Sequence, residues 1–82
     1  MNKLLFSKQF EKSFSRLRNK TVKKQIWQKI LQLENRAPIG KKLKNNPFWS
    51  VHVNQYRIIY LMEGSIITVL DILERRHSYR EL

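Results

Sequence analysis

The spacing of the apolar residues changes once along this chain, at Pro47, and that change limits the fold more than any other feature. Before it, Phe10, Phe14 and Leu17 recur at i, i+4 and i+7. Val22, Ile26, Ile30 and Leu33 repeat the pattern, with Trp27 and Leu31 beside them. Such spacing gathers apolar side chains on one face of a helix. After Pro47 the period is two: Trp49, Val51 and Val53 alternate with Ser50, His52 and Asn54, as in a half-buried strand. A chain that is helical first and stranded afterwards folds as α+β, with the helices on one face of the sheet.

The boundaries follow from local chemistry. Asn2 to Phe6 can form a short strand. Ser7 is placed to cap a helix from about Lys8 to Arg18, and Thr21 to cap a second running to about Asn35. Pro38 and Gly40 end the helical region, and "GKKLKNNP" reads as a loop. Trp49–Val53, Tyr56–Met62 and Ile66–Leu73 then make a three-strand meander. Its turns are Asn54-Gln55, where asparagine tolerates a positive φ, and Glu63-Gly64-Ser65. Ile66–Leu73 is apolar on both faces apart from Thr68 and Asp71, which suits a central strand. The expectation is one domain over residues 1–82: two N-terminal helices packed on one face of a mainly antiparallel four-stranded sheet. Trp27 and Trp49 are expected to pack in the core or on the hairpin.

Charge is distributed unevenly. Residues 1–44 hold thirteen of the seventeen Lys/Arg against only Glu11 and Glu34, so the whole net charge of +11 lies there. The remainder balances four cations against four carboxylates. A solubilising surface calls for a net charge of about 8 at most on a small domain, so the excess points to a polyanionic partner. With no cysteine there is no disulfide or thiolate chemistry, and with only Gly40 and Gly64 there is no glycine-rich phosphate loop. The longest apolar run, Ile58 to Met62, is far short of a membrane span. His52 and His77 lack the neighbours of a metal site. A soluble, cytoplasmic protein with no metal and no cofactor is expected.

What remains is a cationic set. Arg57 stands in the run "NQYRIIYL", where burial without a partner would be very costly. It pairs across the sheet with Asp71, Glu63 or Glu74, or it is held for an anionic ligand. Arg75 follows the last strand, in reach of a bidentate phosphate contact, with Arg76, His77, Tyr79 and Arg80 after it; a solvated charge cluster is the alternative. His52 lies opposite the side that Trp49 buries, and its reference pKa, about 6.5, suits proton transfer. A hydrogen-bonded surface histidine is the plainer reading. Lys41, Lys42 and Lys44 supply diffuse positive charge for a nucleic acid.

Taken in order, "LKNNPFWSVHVNQYRIIYLMEGSIITVLDILERRHSY" resembles the RelE/ParE superfamily of toxins from toxin–antitoxin modules. The resemblance rests on Leu43-Lys44, Trp49–Val53, Tyr56-Arg57-Ile58-Ile59-Tyr60, Ile66–Leu73, and Glu74-Arg75-Arg76 followed by Tyr79, and it covers nearly the whole chain. It implies a RelE-like fold and a ribosome-dependent mRNA endoribonuclease that uses the RNA 2′-OH as nucleophile and needs no metal. Arg57 and Arg75 then contact the scissile phosphate, Tyr79 stacks on or assists the substrate, and His52 can act as base. Lysines of the mRNA-cleaving members align with Ser50 and His52, and Glu74 stands where histidine or glycine is usual. Those departures leave two alternatives open: a ParE-like toxin that inhibits DNA gyrase without nuclease activity, and an inactive basic relative. A cognate antitoxin is the implied protein partner in every case.

Overall fold

A computed structural model describes residues 1–74. In chain order the elements are β1 (Lys3–Phe6), α1 (Lys8–Ser15), α2 (Lys20–Arg36), β2 (Lys41–Lys42), β3 (Phe48–Val53), β4 (Tyr56–Glu63) and β5 (Ile66–Glu74). The strands form one sheet in the order β1-β5-β4-β3-β2. All neighbours are antiparallel except β1 and β5, which are parallel. No helix among the described residues is long and apolar enough to cross a membrane.

The α+β expectation holds, with one more strand than the sequence suggested. Lys41–Lys42, read as loop, pairs with Ser50 and Trp49 as a fifth, edge strand. Two charged residues cannot show a period, so only the pairing reveals them. The meander stands as expected: a two-residue turn joins β3 to β4 with Asn54 at φ 57°, and Gly64 at φ 60° turns β4 into β5. Both helices start at side-chain caps. The Ser7 hydroxyl accepts from the Phe10 N–H at 3.0 Å, and the Asn19 carboxamide, not Thr21, accepts from the Val22 N–H at 3.1 Å. Helix α1 ends three residues before Arg18; Leu17 follows a tight turn and still packs on the core.

Phe10 of α1 and Ile26, Ile30 and Leu33 of α2 meet Val51, Val53, Ile58, Tyr60, Ile67, Val69 and Ile72 in one core. Each fully buried side chain of this size is worth about 1.5–3 kcal/mol. Trp27 departs from expectation: it is 38 % exposed, stacked on Phe6 and tilted against Phe14 at the border of the core. The parallel strand β1 is tied at both ends. The Asn2 N–H donates to the Glu34 carbonyl, and the Ser7 N–H to the Val69 carbonyl. Ser7 also donates its hydroxyl to Leu70, the residue left over where the β4–β5 register shifts beside Ile59/Tyr60. Ser13 of α1 donates to Asp71 next to it at 2.6 Å, so the bulge anchors the helix.

Candidate functional site

The face of the sheet turned away from the helices holds His52 and Arg57. The short β3–β4 turn sets Val53 opposite Tyr56, and therefore His52 directly opposite Arg57. Their side chains share the outer face, and the Arg57 Nε–H donates to His52 Nε2 at 2.9 Å. A guanidinium can only donate, so Nε2 is the acceptor in this hydrogen bond. A guanidinium and an imidazole are thus held together by strand register.

Of the three carboxylates expected as partners of Arg57, Glu74 ends β5 opposite Tyr56, one position along from the Arg57–Leu73 pair. Asp71 Oδ1 accepts from Ser13 and from the Ile72 N–H, and Glu63 lies at the far end of β4 opposite Ile66. Beside the His52–Arg57 pair opens a cleft of about 350 Å³, lined by Gly40, Lys41, Leu43, Ser50, Val51, His52 and Arg57. No carboxylate stands among these lining residues. Of the three lysines singled out in the sequence, only Lys41 borders the cleft; Lys42 and Lys44 are exposed outside it. Among the described residues no three His, Cys, Asp or Glu side chains cluster as metal ligands do. Arg75, Arg76, Tyr79 and Arg80 lie outside the described residues.

One wall of the cleft depends on two residues that the sequence reading passed over. Tyr60, fully buried in β4, donates its hydroxyl to the Ile39 carbonyl at 2.6 Å and accepts from the Ile39 N–H at 2.8 Å. Burial pushes its pKa above the ordinary tyrosine value, and the Ile39 hydrogen bond partly opposes this. This clamp fixes the segment entering β2. Gly40 follows at φ 93°, pressed so closely on β3 that an added Cβ would run into the Ser50 carbonyl oxygen. Only glycine fits there, for both its backbone angle and its lack of a side chain. A lone glycine beside a lysine pair was the signal available in the sequence.

A second concavity lies on the helical side. Phe14, Lys20, Lys23, Lys24 and Trp27 line a groove of about 470 Å³ between α1 and α2. The Lys23 ammonium stands 5.0 Å from the centre of the Phe14 ring.

Comparison with known proteins places this architecture. Isolated RelE toxin from E. coli superposes with a TM-score of 0.81 at 20 % identity, covering 99 % of this chain and 92 % of that one. The RelB–RelE antitoxin–toxin complex from Methanococcus jannaschii gives 0.78 at 24 % identity, covering 95 % and 98 %. The chromosomal ParDE toxin–antitoxin system from P. aeruginosa gives 0.76 at 12 % identity, covering 90 % and 96 %. No curated protein sequence matches the chain. The fold is that of the RelE/ParE toxins. Residues 4–79 match the model of the ParE toxin of the type II toxin–antitoxin system, parDE, and the chain belongs to that family. It is a type II toxin of the RelE/ParE superfamily.

Proposed function

We propose that this toxin cleaves mRNA on the ribosome and so stops translation. The observation that carries the reading is the Arg57 Nε–His52 Nε2 hydrogen bond at 2.9 Å, at the border of a basic cleft whose described lining holds no carboxylate. A phosphate oxygen is a stronger acceptor for a guanidinium than an imidazole nitrogen. A bound phosphodiester therefore draws Arg57 to itself and releases the His52 lone pair. His52 takes the proton of the adjacent 2′-OH, whose oxygen forms a new bond to phosphorus. The bond from phosphorus to the 5′ oxygen breaks, and that oxygen takes a proton from water. Arg57, permanently charged, stabilises the negative charge gathering on the phosphate. Arg75 and Tyr79, on the strength of the family resemblance, are proposed as a second phosphate contact and a base-stacking ring. Lys41, with Lys42, Lys44, Arg76 and Arg80 further out, is proposed to hold the RNA backbone.

The test is primer extension on translated mRNA with purified toxin and ribosomes. Cleavage is expected, and Arg75→Ala should slow it by about 10²–10³, the loss typical of one removed transition-state donor. Intact RNA with blocked supercoiling in a gyrase assay would support the second reading, a gyrase inhibitor, which the ParE family match favours.

A cognate antitoxin is proposed as the protein partner. Its seat is the α1–α2 groove, where the aromatic floor of Phe14 and Trp27 is ringed by Lys20, Lys23 and Lys24. That chemistry suits an acidic amphipathic segment laying its apolar face on the rings. Solved RelE relatives are held in complexes with RelB antitoxins, which supports a partner of this kind.

A further inference from the structure

The turn that brings His52 opposite Arg57 has only two residues, and the first of them, Asn54, holds φ 57°. Asparagine reaches that region more readily than most residues, yet glycine reaches it with less strain. What asparagine adds is a side chain. The Asn54 carboxamide leaves the turn and donates its Nδ2–H to Gln25 Oε1 of α2, 29 positions earlier in the chain. Gln25 comes directly before Ile26, which is fully buried in one core with Val53, the residue directly before Asn54. Helix α2 therefore meets this end of the hairpin at two depths, through apolar packing below and an amide hydrogen bond at the surface.

We infer that Gln25 and Asn54 are positioning residues for the His52–Arg57 pair, acting through the turn. The reason lies in how β3 is supported. Strand β2 pairs only with Trp49 and Ser50, so among the described residues the stretch Val51–Val53 has a ladder on its β4 side alone. His52 stands on that stretch, one rung from the turn. A strand end held from one side opens more readily than the middle of a sheet. Twisting there turns the imidazole away from the Arg57 Nε–H, and a hydrogen bond weakens steeply once misaligned. The tie to Gln25 restrains the free end and keeps the two side chains in line. The alignment itself is a property of the fold; its value for a reaction rests on the proposed cleavage.

The experiment compares the wild type with Gln25→Ala, Gln25→Glu and Asn54→Gly, each as the full chain. Exchange of the Arg57 Nε–H with water is followed by NMR at neutral pH, thermal unfolding is recorded beside it, and kcat and KM are measured for cleavage of translated mRNA. Gln25→Ala should speed the exchange about fivefold, the shift that one neutral hydrogen bond supplies, and should lower kcat by a similar factor with KM within about twofold. Asn54→Gly keeps the positive φ and loses the carboxamide, so it should match Gln25→Ala, and the two together should do no more than either alone. Gln25→Glu still offers an oxygen to the Asn54 amide and should behave as the wild type. A tie that only stabilised the fold would lower the melting temperature and leave the exchange alone; unchanged exchange in Gln25→Ala overturns the inference. So does an unaltered kcat in a toxin that cleaves. If the wild type cleaves nothing, faster exchange in Gln25→Ala and Asn54→Gly upholds the positioning role, and the nuclease reading alone is removed.

Discussion

The helical groove and the sheet cleft are both basic, yet they are built on opposite plans. The α1–α2 groove sets three lysines around two aromatic rings. The sheet cleft sets one arginine, one histidine, one lysine and one buried hydroxyl on strands of fixed register. Lysine is a mobile point charge on a flexible stem, good at attracting and poor at orienting. Strand-borne side chains paired across a ladder keep their separation, which is what a reaction needs. The groove is suited to capture a partner whose apolar face supplies the affinity. The cleft is suited to hold a phosphate in one orientation.

If that division is right, substitutions should separate the two faces. The largest effect is expected for Arg57→Ala: cleavage of translated mRNA should fall by about 10²–10³, while antitoxin affinity stays within twofold. Loss of antitoxin binding in this variant would merge the two surfaces into one. Gly40→Ala comes next, since it forces an L-residue to φ 93° and drives a Cβ into the Ser50 carbonyl. About 3 kcal/mol of stability should disappear, a fall of roughly 12 °C or more in Tm by calorimetry. Trp27→Ala should weaken antitoxin binding by about 2 kcal/mol, measured by titration calorimetry, and leave the cleavage rate of the free toxin unaltered.

The smallest effect concerns the wall of the cleft. Tyr60→Phe removes both hydrogen bonds to Ile39 and should cost about 1–2 kcal/mol by urea unfolding at neutral pH. The pH dependence has a definite sign. The folded tyrosine holds its proton beyond the ordinary value near 10, so the unfolded chain loses that proton first. Tyr60 therefore stabilises the fold fully below pH 10, and this contribution declines as pH rises above it. The gap between wild type and Tyr60→Phe should narrow above pH 10, and a constant gap would show that the hydroxyl is not shielded.

Much of this was legible along the chain because it is local. The Ser7 cap, the helical stripe of Ile26, Ile30 and Leu33, and the alternation of Trp49, Val51 and Val53 all lie within a few residues of what they determine. Arg57 and His52 could be singled out by chemical type, and the family by the order of its short motifs. The pairing of β2 with β3 was not legible, nor the glycine contact with Ser50, nor the burial of the Ser50 hydroxyl. Ser50 alternates with buried residues and so reads as solvent-facing, yet it is as buried as Val51. Trp27 misled in the opposite sense, since a large ring on the apolar stripe reads as core but stands at the rim of the groove.

The sequence by itself determined where helices give way to strands, which face of each is apolar, and that all the excess positive charge falls in the first 44 residues. Those properties depend on side-chain period and composition, which neighbours along the chain settle between themselves. Only the tertiary structure decided that a two-residue strand closes the edge, that Tyr60 fixes Ile39 21 positions away, and that the Arg57 guanidinium meets an imidazole. Such contacts join segments that are distant in sequence, and their geometry exists only once the strands have settled into register.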